Sequence, residues 1–260
     1  MPEGDTVYRA AHRLDAALTG ATLTRSDFRI PSLATVDLSG ARVTACRSVG
    51  KHLFIDLDGD RTVSIHSHLK MEGAWHVYRP GERWRRPGFT ARIVLRTGQV
   101  EAVGFDLGTL ELTERPGDTV AHLGPDLLGP DWDLETAAAN LAADPDRPIG
   151  LALLDQRAMA GVGNIYRSEL CFLSAVHPAT PIGAVDALTL AGDAHRLLAA
   201  NRLQAVRCTT GDRRRGRELW VYGRDRRACR RCGTAIRRGM LSERVIYFCP
   251  SCQRPPAAST

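Results

Sequence analysis

Leu53-Phe54-Ile55-Asp56-Leu57-Asp58-Gly59-Asp60-Arg61-Thr62-Val63-Ser64-Ile65 holds two apolar runs, Leu53-Phe54-Ile55 and Val63 with Ile65, on either side of an Asp58-Gly59-Asp60 turn. Branched and aromatic residues in short runs, broken by Gly and Asp, predict strands joined by a tight turn. The pattern extends from Arg42 to about Thr113. It takes in Val43, Trp75 and Val77, Ile93-Val94-Leu95 and Leu110-Glu111-Leu112, with another turn at Thr97-Gly98. The expectation is an antiparallel β-sandwich or barrel.

Upstream, Val7, Ala11, Leu14 and Leu18 recur at helical spacing between Asp5, placed to cap the helix, and Gly20, placed to end it. Downstream, Gly117 to Asp131 is rich in Gly and Pro and reads as a linker. Helical patterns follow: one capped by Asp133 and ending near Ala143, one from Pro148 to Gln156, then Tyr166–Leu173 and Ala184–Ala200. Glu218–Tyr222 looks strand-like, and Ile236 with Val245 to Phe248 suits a small hairpin. The class is therefore α+β. The expected divisions are a sandwich domain with a flanking helix at 1–117, a linker at 118–131, a helical domain at 132–217, a cysteine-bearing hairpin at 218–254 and a tail at 255–260.

The composition of the 260 residues, 43% apolar and 25% charged, excludes wholesale disorder. No run approaches the length of a membrane span, and the first residues lack the basic-then-apolar pattern of a secretory signal. The expectation is a cytoplasmic, nucleoid-associated monomer with no membrane partner. The net charge of +6 is uneven. From Arg202 to Arg254 there are 15 Arg against four acids, +11, so the remainder sums to −5. A basic lobe on a mildly acidic body points to a polyanion, nucleic acid first. Of the 35 basic residues only Lys51 and Lys70 are Lys. Lys can lose its proton near neutral pH when its pKa is depressed, while Arg effectively cannot, which singles these two out.

Cys229-Arg-Arg-Cys232 and Cys249-Pro-Ser-Cys252 are two C-x-x-C pairs with 16 residues between them. That spacing suits four thiolates around one structural Zn²⁺, with no open coordination position. So small a hairpin buries little apolar surface, so the metal would supply much of its folding energy. Cys46, Cys171 and Cys208 stand apart and read as buried, inert thiols. At the other end, removal of Met1 would leave Pro2 as a free secondary amine. An α-amino group titrates near 8, so an unprotonated fraction exists at neutral pH and can attack an electrophilic carbon. Glu3 beside it is a candidate general acid.

Six motifs in order give the chain a resemblance to the formamidopyrimidine-DNA glycosylase and endonuclease VIII family of base-excision repair enzymes, nearer to endonuclease VIII. They are Pro2-Glu3-Gly4 before a helix; Gly50-Lys51; His68-Leu69-Lys70-Met71-Glu72-Gly73; Leu123-Gly124-Pro125-Asp126; Leu154-Asp155-Gln156 through Gly161-Val162-Gly163-Asn164-Ile165-Tyr166, with Glu169 and His177-Pro178; and Val221-Tyr222-Gly223-Arg224 running into the cysteine pairs and Gln253.

The resemblance implies a bifunctional glycosylase and abasic-site lyase. Pro2 would attack C1′ of a damaged nucleotide, displace the base and form an iminium, with Glu3 assisting ring opening and Lys51 near the sugar during β-elimination. The nucleotide must leave the stack for this, and Met71 would enter the gap, with Lys70 beside it. The stretch from Ile149 to Leu173 resembles the family's helix-two-turns-helix module, whose Asn164 would donate to a phosphate. Arg244 matches the zinc-finger arginine linked to δ-elimination, and His122 a minor DNA contact. The implied partner is damaged double-stranded DNA, with single strands left open. Phe105–Thr109 and Thr209–Arg217 are both shorter than their counterparts in the 8-oxoguanine branch, which favours oxidised pyrimidines. The alternatives are an enzyme for 8-oxoguanine and formamidopyrimidine, or a non-catalytic zinc-dependent binder of damaged DNA.

Overall fold

The computed structural model describes residues 2–254, so Met1 and the expected tail at 255–260 lie outside the described residues. The chain divides into two compact units, Met1–His122 and Leu123–Thr260.

In the first unit, α1 (Gly4–Leu18) precedes eight strands: β1 (Arg25–Phe28), β2 (Arg42–Val49), β3 (His52–Asp58), β4 (Val63–His68), β5 (Ala74–Tyr78), β6 (Ala91–Arg96), β7 (Glu101–Phe105) and β8 (Thr109–Thr113). They form two antiparallel sheets, ordered β2-β3-β4-β8 and β1-β6-β7-β5. The hairpin read from Leu53 to Ile65 is β3–β4, with Ile55 opposite Ile65. One core joins the sheets: Leu53, Ile55, Leu57 and Ile65 share it with Trp75, Ile93, Leu95 and Ala102. Val7, Ala11, Leu14 and Leu18 of α1 enter the same core. Two layers with a helix closing one side bury the apolar face of each sheet. Asp5 does not cap α1: Glu3 occupies the N-cap position, its carbonyl accepting from Thr6 N (2.9 Å) and Val7 N (3.1 Å), and Asp5 lies within the first turn. A short helix, α2 (Pro116–Val120), ends the unit.

The second unit carries α3 (Leu134–Ala142), α4 (Ile149–Ala152), α5 (Asn164–Leu173), α6 (Ala187–Asn201) and the hairpin β9 (Arg237–Leu241) with β10 (Arg244–Phe248). Asp133 caps α3 by accepting from Thr136 N at 2.9 Å. The helix expected over Pro148–Gln156 stops at Ala152, because Asp155 and Gln156 bond to the turns beyond it. Leu127, Leu141, Ile149, Leu153, Tyr166, Leu170, Leu190 and Leu198 make its core. Cys46, Cys171 and Cys208 are all buried, and burial pushes the thiols of Cys46 and Cys171 up to about 12.

Glu218–Tyr222 is not a strand. It is a turn hung on one buried carboxylate. Glu169 accepts from Trp220 N (2.8 Å), Val221 N (2.9 Å) and Tyr222 N (2.9 Å), and from the Thr209 hydroxyl. The apolar side chains that suggested a strand pack around that anchor, with Val221 and Trp220 beside Phe172. An ionised acceptor with several donors is strongly held, and leaving buried donors unmatched costs about 1–3 kcal/mol each. Glu169→Gln turns an amide NH₂ toward those donors. The expected outcome is a fall in the thermal unfolding midpoint of several degrees, at about 2–4 °C per kcal/mol for a chain of this size, measured by calorimetry.

Candidate functional site

The position of α1 on β2 decides what meets at one end of the first unit. Gly20 N donates to Val43 O (2.8 Å), and Cys46 N donates to Asp15 Oδ1 (2.9 Å). The helix and strand therefore run in opposite directions. From Asp15 back to Gly4 the helix climbs about 16 Å at 1.5 Å per residue. From Cys46 forward to Lys51 the strand advances about 16 Å at 3.3 Å per residue. Pro2 and Glu3 thus arrive at the level of the Gly50-Lys51 turn between β2 and β3. Pro2 and Lys51 are half-buried and Glu3 is buried.

The β4–β5 turn stands beside them. His68 pairs with His52 across β3 and β4, and both lysines lie close enough to act on its ring. Lys70 has a left-handed backbone (φ 50°), and its N–H donates to His68 Nδ1 at 2.9 Å. Its stem runs over Gly108, where a Cβ would lie 2.1 Å from Lys70 Cγ. Gly73 closes the turn by donating to Leu69 O (2.8 Å), and a Cβ there would strike that carbonyl at 2.4 Å. Met71 is left at the tip, 58% exposed.

A histidine relay that sequence reasoning missed lines the outer face of β3, β4 and β8. His52 Nδ1 lies 2.8 Å from His66 Nε2, and His66 Nδ1 lies 2.8 Å from Glu111 Oε1. A carboxylate only accepts, so His66 Nδ1 carries the hydrogen. In a neutral His66, Nε2 then accepts from His52 Nδ1, which leaves the lone pair of His52 on Nε2. His68 is arranged oppositely: its Nδ1 accepts from Lys70 N, so the neutral ring carries its hydrogen on Nε2. His122 is exposed with its ring 6.3 Å from that of His52. The signal in the sequence was the period-2 pattern His66-Ser67-His68, which puts both rings on one face of a strand.

Burial, then His66, His68, His122 and Lys70, push His52 down to about 4. Burial, then Lys70, Lys51 and His66, do the same to His68. Both are uncharged at neutral pH. The unfolded chain, with ordinary values of 6.5, binds more protons between pH 6.5 and 4. Stability from these rings is therefore fully present above pH 6.5 and is lost as pH falls toward 4. The unfolding midpoint should drop over that window, and His52→Gln should flatten the drop, as followed by circular dichroism melts.

In the second unit, Gln156 shapes the turns before α5: its Nε2 donates to Leu154 O (2.8 Å) and Val162 O (3.1 Å), and its Oε1 accepts from Gly161 N (3.1 Å). Asn164 opens α5, nearly buried, and its Nδ2 donates to Val245 O at 3.0 Å. Arg167 donates to the same carbonyl (2.7 Å) and to Asn164 Oδ1. One residue from that junction, Arg244 is exposed and makes no side-chain hydrogen bond or ion pair among the described residues. The structure thus brings Asn164 and Arg244 together, but one amide hydrogen of Asn164 is already used inside the protein.

Cys229, Cys232, Cys249 and Cys252 place their sulfurs within 4.8 Å of one another. Cys229 and Cys252 are 4.0 Å apart, and Cys232 and Cys249 3.5 Å. Tetrahedral Zn–S bonds of about 2.3 Å require S···S edges of about 3.8 Å, which the two distances bracket. Arg231 N and Cys252 N each donate to a sulfur, at 3.4 and 3.5 Å, as thiolate ligands demand. The four cysteines fit one closed metal site. Cys249→Ala should abolish a bound metal stoichiometry of one per chain, read by elemental mass spectrometry, and expose the hairpin to proteolysis.

An N-terminal sandwich with a helix-two-turns-helix unit and a four-cysteine hairpin defines the architecture of a DNA-repair glycosylase. The formamidopyrimidine-DNA glycosylase N-terminal domain matches residues 1–107, and the formamidopyrimidine-DNA glycosylase H2TH domain matches residues 123–201. The DNA-(apurinic or apyrimidinic site) lyase Nei2 of Mycolicibacterium smegmatis is 56% identical over 256 residues, covering 97% of this chain and 99% of that protein. Endonuclease 8 2 of Mycobacterium bovis is 54% identical over 98% of this chain and 100% of its own length. Endonuclease 8 of Escherichia coli is 33% identical over 97% of this chain and 100% of its own. Lactococcus lactis Fpg, solved with abasic-site DNA, shares the fold with a TM-score of 0.80 at 24% identity, over 97% of this chain and 100% of that one. The chain belongs to the formamidopyrimidine-DNA glycosylase family, on its endonuclease VIII side. No helix among the described residues is long and apolar enough to cross a membrane.

Proposed function

We propose that this chain is a bifunctional DNA glycosylase and abasic-site lyase of base-excision repair, acting on oxidised pyrimidines in duplex DNA. The observation that carries the reading is the antiparallel docking of α1 on β2, which sets Pro2 and Glu3 level with Lys51 beside the Met71 turn. The names of the relatives, a lyase of apurinic or apyrimidinic sites and endonucleases 8, support the reaction class.

The chemistry follows from a secondary amine. After removal of Met1, the Pro2 lone pair bonds to C1′ as the C1′–base bond breaks, and the pair leaves with the base. The adduct loses its N–H proton. Glu3 gives a proton to O4′, the C1′–O4′ bond opens, and the C1′=N⁺ iminium that remains is an electron sink. A proton then leaves C2′ and the electron pair expels the 3′ phosphate. Lys51 is proposed to stabilise charge at the departing phosphate. Arg244 holds the flanking phosphates during the second elimination through its guanidinium fork, with Asn164 supplying its remaining amide hydrogen. Met71 fills the gap left by the extruded nucleotide, and Lys70 and His122 contact the backbone. Zinc on the four cysteines shapes the hairpin that presents Arg244 and takes no part in the reaction. The short turns at 105–109 and 209–217 support oxidised pyrimidine over 8-oxoguanine. A cytoplasmic, nucleoid-associated enzyme is consistent with this.

Borohydride should trap a covalent adduct with abasic-site DNA, and peptide mass spectrometry should place it on Pro2. An adduct on Lys51, or a competent enzyme that retains Met1, overturns the mechanism. Glu3→Gln should slow strand cleavage by about 10²–10⁴-fold, the usual share of a general acid, in single-turnover assays.

A further inference from the structure

Among the described residues of the first unit, two large hydrophobic side chains stand well exposed: Met71 at 58% and Phe89 at 82%. A lone exposed Phe needs no explanation. Phe89 differs in where it is held and by what.

Ala74, which opens β5, and Ala91, which opens β6, both pair with Phe105 at the end of β7. The turns before β5, after β7 and before β6 therefore crowd one end of one sheet. Asp106 N donates to Thr90 O (2.9 Å), and Gly108 N donates to His68 O (3.0 Å). Arg86 ties the three turns together: its Nη1 donates to Glu72 O (2.7 Å), beside Met71, and to Asp106 Oδ2 (3.1 Å). Phe89 thus belongs to the same rim as Met71.

The loop that carries Phe89 is braced. Trp84 Nε1 donates to the buried carboxylate of Glu101 at 2.5 Å, and the Arg29 guanidinium lies 5.2 Å from the Trp84 ring. Arg85 N donates to the Tyr78 hydroxyl (3.1 Å), and Thr90 Oγ1 to Pro87 O (2.7 Å). Residues 79–92 carry five Arg against one Glu, a charge of +4. Arg83 and Arg85 are exposed along an open cleft of about 720 Å³ that runs from Glu82 to Gly88. A preorganised loop with an aromatic face among arginines fits a nucleic-acid strand, stacking one base and holding its phosphates.

Spacing separates the two contacts. β5 and β6 flank β7, so their first residues stand about 10 Å apart at 4.8 Å per strand. A base step is only about 3.4 Å. Phe89, carried before β6, is therefore placed to meet a different base from the one beside Met71, carried before β5.

We propose that Phe89 stacks on the base left unpaired opposite the damaged nucleotide, and that Arg83 and Arg85 grip the phosphates of that opposite strand. This rests on the glycosylase reading above. The short turn at 105–109 reaches no further than its hydrogen bonds to Thr90 and His68, and the braced loop at 79–90 supplies the second contact.

The test uses the full-length, metal-loaded enzyme and two abasic-site DNAs, one duplex and one single-stranded, with borohydride trapping rates on each. In Phe89→Ala the ratio of duplex to single-strand rate should fall about tenfold, and Phe89→Trp should restore it. The double variant Arg83→Ala, Arg85→Ala should lower the slope of log affinity against log salt on duplex by about 2. A wild-type ratio in Phe89→Ala, or an equal fall on both DNAs, overturns the opposite-strand assignment. An unchanged salt slope overturns the phosphate grip. If the wild-type enzyme traps neither DNA, the glycosylase reading fails first and this inference with it.

Discussion

The bond from Cys46 N to Asp15 Oδ1 fixes how α1 lies along β2. Everything proposed for the chemistry depends on that register. A helix rises less than half as far per residue as a strand, so eleven helical residues match five strand residues, and two points distant in sequence arrive level. Asp15 is a poor helix-interior residue for packing, but here its carboxylate serves a strand N–H. The apolar face of α1 then has only one seat, in the core that both sheets share. A helix rotated about its axis would turn Val7 and Leu14 out of that core, and one shifted by a turn would carry Glu3 about 5 Å from its level with Lys51.

The arginine excess of the second unit has two uses. Arg230 donates to Leu219 O (3.0 Å) and Gly216 O (2.5 Å), and Arg224 bridges Trp220 O and Ala228 O, the latter at 2.8 Å. Arg231 lies 4.6 Å from the Phe172 ring. Asp212 gathers Arg214 and Arg217, and the Arg214 hydrogen bonds hold its carboxyl well below the usual range. A planar fork joins two carbonyls of an irregular segment in a fixed geometry and stacks on a ring while keeping its charge, which the flexible point charge of a lysine does less well. The small four-cysteine hairpin and the turns around it thus gain hydrogen bonds and a positive surface from the same side chains. Arg244 is different in having no such partner among the described residues.

Much of this was legible before the structure. The β3–β4 hairpin, the α1 face of Val7, Ala11, Leu14 and Leu18, the cap at Asp133 and the four-cysteine cluster all rest on local spacing, and local spacing is what a sequence displays. The errors share a cause. Glu218–Tyr222 has strand-like composition, but its backbone N–H groups go to Glu169, some 50 residues earlier. The α4 stretch stops early because Asp155 and Gln156 turn to backbone partners outside it. A polar side chain that competes for backbone groups, near or far, leaves no periodic trace. The same holds for Glu111, whose strand β8 reaches His66 of β4 only by pairing.

The sequence by itself determined the strand and helix periods, the four-cysteine cluster and the candidates for the reactive groups, since each is a property of residue type and near spacing. Tertiary structure alone decided which of those groups meet. It set the level of Glu3 against Lys51, the tautomers along the relay, the junction of Asn164 with the strand of Arg244, and the common rim of Met71 and Phe89. These follow from hydrogen bonds and packing between segments tens of residues apart, whose geometry no single segment contains.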